Sequence, residues 1–304
     1  MKTLQPQSGF VHVNGIRLHY LDWGGQGPAL IFLTGLGSSA YIFSGLAPRF
    51  SDQFRVLALT RRGHGDSDSP TTGYDPDTLV EDIRQFMDAL HIEQAILAGH
   101  SLAGVELTHF ASTHPNRVEK LVYLDALDDR RGHQVIQEKN PLRNVVIETT
   151  ESTPHSVAEY IADMKRDFPD FADIWNEVWD EEISHNVIVN EAGVVVDKMS
   201  PLVETQLNQN LVVGYAPKAM TARIPMLAFF AMGKRNLSAY TPEQKAAFDK
   251  FFQNVRQPFF KSVIAEFQGR FPHAKIVEIP NGHHYCFIAQ ADLVFEEMLA
   301  FLNE

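Results

Sequence analysis

Cysteine is nearly absent. The 304-residue chain holds one, Cys286, so no disulfide can form within it. No apolar run approaches the ~18 residues that a membrane helix needs. The opening MKTLQPQSGF carries one lysine and lacks the apolar stretch of a signal peptide. These scarcities set the expectation of a cytoplasmic protein without a membrane partner. Positive charge is also scarce: 26 Lys and Arg stand against 38 Asp and Glu, a net charge of −12. Such a chain is repelled at long range by nucleic acid and anionic lipid, so neither is an expected partner. The 13 histidines include one adjacent pair but no H-E-x-x-H or H-x-H cluster, so no metal is expected. The glycine-rich RRGHGDSDSP (61–70) lacks the Gly-Lys-Ser/Thr ending of a phosphate loop and reads as a structural turn. Nothing in the chain calls for a cofactor, and no internal repeat or low-complexity segment is present.

What remains is the composition of a globular α/β protein, 44% hydrophobic and 21% charged. FVHV (10–13) and IRLHYLDW (16–23) alternate as strands around Asn14–Gly15, a hairpin signal. ALIFLTG (29–35), RVLALT (55–60), QAILAG (94–99) and KLVYLDA (120–126) are short apolar runs, as in strands buried on both faces. Between them lie helical patterns at 39–50, 78–90 and 102–114. That alternation predicts a mostly parallel sheet with helices on both faces. The rhythm breaks after Asp125. Residues 127–222 hold helical pieces (156–168, 172–183) and a candidate hairpin turning at Gly193. The rhythm resumes with PMLAFFAM (225–232), a helical stretch over 242–270 interrupted near Pro258, AKIVEIP (274–280) and a closing helix over 289–302. The expected organisation is a sheet core (1–126 and 223–304) carrying a mainly helical cap at 127–222.

LAGHSLAG (97–104) sits between a buried strand and an amphipathic helix. That is the context of a nucleophile elbow, where the strained backbone at Ser101 requires small neighbours. Gly99 and Ala103 meet the requirement, Ala103 by one methyl more than the usual glycine. The competing reading makes Ser101 a helix N-cap. A serine hydroxyl needs a base, and IPNGHHYCFIAQAD (279–292) offers His283 and His284 after the last strand.

With these residues the chain resembles the α/β-hydrolase superfamily, and more narrowly its lid-bearing, esterase-like members. Aligning Phe287 and Gln290 with the family's I-P-x-x-G-H-F-x-F-x-x-Q-P pattern puts the catalytic histidine at His284, with His283 as the alternative. LTGLGSSA (33–40) resembles the family's HGxxGS loop, with Thr34 in place of histidine. The resemblance implies an oxyanion hole from the backbone N–H groups of Leu36 and Leu102. The usual acid position falls in GKRN (233–236), where Asn236 stands. Some α/β-hydrolases carry the acid after the preceding core strand, and Asp125 matches that position; Asp128 and Glu106 are the alternatives. Dehalogenases and epoxide hydrolases of this fold use aspartate where Ser101 stands. The resemblance therefore implies acyl transfer to water from a small to medium, largely apolar carboxylic ester; a monomer or homodimer is expected. Serine-bearing perhydrolases, hydroxynitrile lyases and slow-turnover receptors share the constellation. The cap aromatics Phe168, Phe171, Trp175 and Trp179 are spaced as a packing stripe, with Phe168, Trp175 and Trp179 the expected pocket residues. Cap acids Asp170, Asp173, Glu177, Asp180, Glu181 and Glu182 read as a solvated face, or as an amine-selecting cluster like that of proline iminopeptidases.

Overall fold

The computed structural model describes residues 5–130, 132–145, 153–233 and 235–304. In chain order its strands are β1 (Gln7–Val13), β2 (Ile16–Gly24), β3 (Ala29–Leu33), β4 (Arg55–Leu59), β5 (Ala95–His100), β6 (Val118–Leu124), β7 (Val187–Val189), β8 (Val195–Asp197), β9 (Met226–Ala231) and β10 (Lys275–Ile279). Eight form one sheet in the order β1-β2-β4-β3-β5-β6-β9-β10, while β7 and β8 make a separate ribbon. β2 pairs antiparallel with β1 and β4, and the remaining pairs of the large sheet are parallel. Asn14 (φ 49°) and Gly15 (φ 77°) turn the first hairpin in the left-handed conformation that its two-residue loop requires.

Alternate residues of the central strands feed opposite layers. Ile31, Leu97 and Leu121 pack beneath helices α1 (Pro76–Ala89) and α2 (Ala103–Thr113), with Phe86 and Phe110. Leu30, Ile96 and Val122 pack on the other face with Phe43, Met298 and Phe301. Burial on both faces explains why these strands read as unbroken apolar runs. The registers Leu33↔Gly99, His100↔Leu124 and Leu124↔Phe229 bring the carboxyl ends of β3, β5, β6 and β9 side by side. Loops leaving these ends therefore share one rim.

The span 39–50, expected as one helix, is two 3₁₀ turns, Ala40–Phe43 and Ala47–Phe50. Gly45 and Pro48 lie between and within them; glycine favours no helix and proline lacks the N–H to continue one. Helix α3 (His133–Glu138), α4 (Val157–Asp167), α5 (Pro169–Ala172), α6 (Glu177–Asn186), the β7–β8 ribbon and α7 (Pro201–Leu207) all fall between β6 and β9. Of the expected cap range 127–222, residues 131 and 146–152 lie outside the described residues. The stretch 172–183 divides where Asn176 caps α6 by accepting from the Val178 N–H. The interrupted segment becomes α8 (Pro242–Phe251), a π-type turn over Phe252–Arg256 and α9 (Gln257–Arg270), with Pro258 in the first turn of α9. The chain closes with α10 (Cys286–Ala289) and α11 (Ala291–Leu302).

Candidate active site

Ser101 follows β5 immediately and has φ +54°, a left-handed conformation costly for a residue with a side chain. Its neighbours make that bend possible. A Cβ on Gly99 would sit 3.0 Å from the Ala103 and Leu107 side chains, and one on Gly104 would sit 2.6 Å from the Leu127 carbonyl oxygen. The bend lifts the serine off the strand end, toward the loop after β10.

That loop supplies His284. Its Nε2 lies 3.0 Å from Ser101 Oγ, and its Nδ1 lies 2.6 Å from Asp125 Oδ2. Asp125 also has positive φ, +45°, one residue beyond β6. Its other oxygen accepts a 2.8 Å bond from the Ala231 N–H at the end of β9. Three neighbouring strand ends and one loop thus order serine, imidazole and carboxylate in series. In that series the imidazole can take the hydroxyl proton through Nε2 while the carboxylate holds the Nδ1–H tautomer. Among the described residues, neither the Leu36 nor the Leu102 backbone N–H has a protein acceptor. Both amides lie in the chain segments that flank the serine.

The other candidates go elsewhere. His283 Nδ1 accepts from the Tyr285 N–H at 3.0 Å, and burial, its largest influence, pulls its pKa down to about 4. It is a neutral loop residue facing Phe171. Asp128 is buried and accepts from Arg270 Nη2 at 2.8 Å; burial raises its pKa to about 6. Glu106 is buried in a two-point ion pair with Arg61, whose Nη1 and Nη2 also donate to the Gly35 and Thr34 carbonyls. The pair braces the loop bearing Leu36 and does not touch His284.

Two positioning residues escaped the sequence reading. Arg61 opens a segment read only as a turn. His100, inside the serine motif, donates from Nε2 to the His284 carbonyl at 3.1 Å and so ties the serine turn to the loop that carries the imidazole. A polar residue flanking the serine is its only sequence signal.

Asn236 does not face the imidazole: its N–H donates to Asp170 and its Nδ2 to Asp173 at 2.8 Å. Lys234 of the same stretch lies outside the described residues. Cap carboxylates are engaged in turn. Asp180 accepts from Trp175 Nε1, and Glu182 is fully enclosed, accepting from the Ser39 N–H and hydroxyl and from Asn186 Nδ2. For Glu182 the solvated-face reading is corrected, and Asp170, Asp173 and Asp180 are each bonded within the protein.

Beside Asp125 and His284 opens a cavity of about 450 Å³, roofed by Phe168, Phe171 and Tyr240. Of the expected pocket aromatics only Phe168 lines it. Trp179 is buried in the core against Phe171 and Tyr285, and Trp175 stacks on Trp179, because the helix stripe is consumed in docking α6 to the sheet layer. The wall is mixed: apolar surface predominates, and Arg130, Arg235, Arg256 and His133 add polar groups to it. A wider depression of about 1060 Å³ lies among Pro28, Arg55, Gln94 and Arg117, at the amino ends of β3, β4 and β5, the end of a parallel sheet away from the serine. Among the described residues no group of His, Cys, Asp and Glu is arranged to hold a metal ion, and no helix is long and apolar enough to cross a membrane.

The comparisons agree with this architecture. A 115-residue stretch is 35% identical to a soluble epoxide hydrolase of a Corynebacterium species, covering 38% of this chain and 40% of that protein. A 101-residue stretch is 38% identical to 2-(acetamidomethylene)succinate hydrolase of Mesorhizobium japonicum, covering 33% and 36%. The chain thus aligns over well under half the length of these curated relatives. The crystal structure of E-2-(acetamidomethylene)succinate hydrolase superimposes with a TM-score of 0.74 at 20% identity, over 99% of this chain and 100% of that one. At that identity the likeness speaks for the fold. The sequence pattern of the alpha/beta hydrolase fold matches residues 28–290. With its sheet order, its rim of loops and that match together, the chain belongs to the α/β-hydrolase fold family.

Proposed function

We propose that the protein is a serine hydrolase that cleaves a carboxylic ester or a related acyl bond through an acyl-enzyme. Ser101 Oγ attacks the carbonyl carbon as His284 Nε2 takes the hydroxyl proton, and Asp125 stabilises the resulting imidazolium. The tetrahedral oxyanion is held by the Leu36 and Leu102 N–H groups. Preorganised donors of this kind are worth about 3 kcal/mol each when removed singly. The carbonyl re-forms, the leaving group departs with the proton from His284, and water repeats the sequence to release the acid and regenerate Ser101. The segment at 127–222 serves as a lid over this rim. The carrying observation is the unbroken series Ser101–His284–Asp125, with both contacts at hydrogen-bond distance.

Serine chemistry also separates this chain from its epoxide-hydrolase relatives, since members of that activity in this fold carry aspartate where Ser101 stands. The relative named for hydrolysis of 2-(acetamidomethylene)succinate supports cleavage at an acyl centre.

Fluorophosphonate labelling with mass-spectrometric mapping tests the reading. The expected adduct is on Ser101 and is abolished by Ser101→Ala. An adduct elsewhere, or negligible turnover across nitrophenyl esters of graded acyl length, would replace the enzyme with a ligand-binding member of the fold.

A further inference from the structure

The cavity beside the serine series is lined by three arginines, Arg130, Arg235 and Arg256, whose charges are met at a distance by Asp125 and Asp170 but whose donors are left largely unpaired. Arg130 lies five residues past Asp125, in the loop leaving β6, and lines the cavity with it. Its Nε is sealed from solvent, and among the described residues it has no hydrogen-bond partner. Arg256, from the π-type turn before α9, lines the same cavity, and its side chain makes no hydrogen bond to a described residue. It lies over the Phe252 and Phe260 rings, 5.8 and 5.4 Å from their centroids. Arg235 stands at the mouth, 4.0 Å from Asp170. His133, at the start of α3, has a buried Nδ1 without a partner among the described residues, and the charges of Arg130, Arg256 and Arg235 all act on it. Burial pulls its pKa down to about 3, so it stays neutral beside the guanidinium groups.

Three carboxylates also border the cavity; Asp125 and Asp170 attract Arg130 and Arg256 through space, but the hydrogen bonds they accept come from other donors. Asp125 accepts from His284 and Ala231, Asp167 from Arg166, and Asp170 from Asn236. Burying a guanidinium costs several kcal/mol unless an anion meets it. Its five donors form a planar fork that a carboxylate satisfies two at a time. Two such forks line one cavity, and among the described residues neither side chain is given a hydrogen-bond acceptor, which leaves donors for a ligand's carboxylate.

We infer that this cavity binds a carboxylate carried by the substrate, so that the preferred acyl substrate is an anion such as a dicarboxylic half-ester or half-amide. The inference rests on the serine-hydrolase reading and narrows its substrate class. On this inference the scissile carbonyl sits at Ser101 and one arm of the molecule reaches past His284 and Asp125, which line the cavity where Ser101 itself does not; the cavity is large enough for a chain of a few carbons ending between Arg130 and Arg256.

The test compares monomethyl glutarate with its neutral counterpart, dimethyl glutarate. Calorimetric titration of the Ser101→Ala protein should show the half-ester bound at least about tenfold more tightly, the worth of one charge-assisted contact. The intact enzyme should prefer the half-ester in kcat/KM. Arg130→Gln and Arg256→Gln should each drive the half-ester to diester ratio toward one, a ratio that a general loss of folded protein would leave in place. Equal affinity of the Ser101→Ala protein for the two esters overturns the inference, however the arginine variants fold. Inorganic phosphate bound more tightly than the half-ester also overturns it, in favour of a phosphorylated ligand. Half-ester binding without turnover by the intact enzyme would instead remove the hydrolase reading and leave the anion site standing.

Discussion

Asp125 shows how much a single residue can be asked to do. Its backbone adopts a left-handed conformation, its Oδ2 meets His284 and its Oδ1 meets the Ala231 amide. Replacement by asparagine preserves shape but removes the charge and invites the wrong imidazole tautomer. Asp125→Asn should therefore fold normally and lose turnover by about 10⁴-fold, the scale of the analogous change in serine proteases. Circular dichroism and ester kinetics on the same preparation check both halves, and near-wild-type turnover would take Asp125 out of the series. Glu106 illustrates the opposite case. It stands one helical turn past the serine yet spends its charge on Arg61, which in turn grips two carbonyls of the Leu36 loop. Pairing of this kind avoids the heavy penalty of a lone buried charge.

At the scale of elements, the strand–turn–helix of β5 and α2 is the most constrained piece. Its glycines are demanded by contact: at Gly104 the nearest obstacle to a Cβ is the backbone of Leu127, which cannot swing aside. Gly104→Ala should cost about 1–3 kcal/mol of stability, the usual range for overpacking. Because the added methyl pushes α2 away from the loop after β6, turnover should fall further than the stability loss explains. Urea melts read against kcat decide the matter, and an unchanged midpoint would mean that the helix has room to move. This element was legible in LAGHSLAG because the requirement for small residues is local. So were the first hairpin, through Asn14–Gly15, and the buried strands, through their unbroken apolar runs. The 39–50 segment was not. Its apolar spacing suits a helix, but Gly45 disfavours helical backbone and Pro48 removes a donor, so only two 3₁₀ turns form. That Trp175 and Trp179 pack rather than line the pocket was equally hidden, since a stripe's spacing is the same whether it faces a substrate or another layer.

Across the whole molecule, Glu182 fastens the segment between β6 and β9 to the loop after β3. Burial, its largest influence, pushes its carboxyl up to about 7, against the donors from Ser39 and Asn186 that favour the ionised form. A raised acid holds its proton more tightly in the folded chain than in the unfolded one. The stability it confers is complete below the ordinary glutamate value of about 4.3 and is lost as pH climbs through about 7. Thermal melts across that window should show wild-type stability falling with pH more steeply than that of Glu182→Gln, which has no proton to lose. Parallel slopes would show that the carboxyl titrates as it does in water.

The sequence by itself determined the fold class, the elbow at Ser101 and the short list of partners, because these depend on periodicity, small-residue spacing and order along the chain. Tertiary structure alone decided which histidine and which acid stand in series with the serine, and that cap aromatics pack while arginines face the cavity. Those outcomes turn on strand register and loop direction, which join residues such as Asp125 and His284, 159 positions apart. No local pattern carries the angle at which such loops meet.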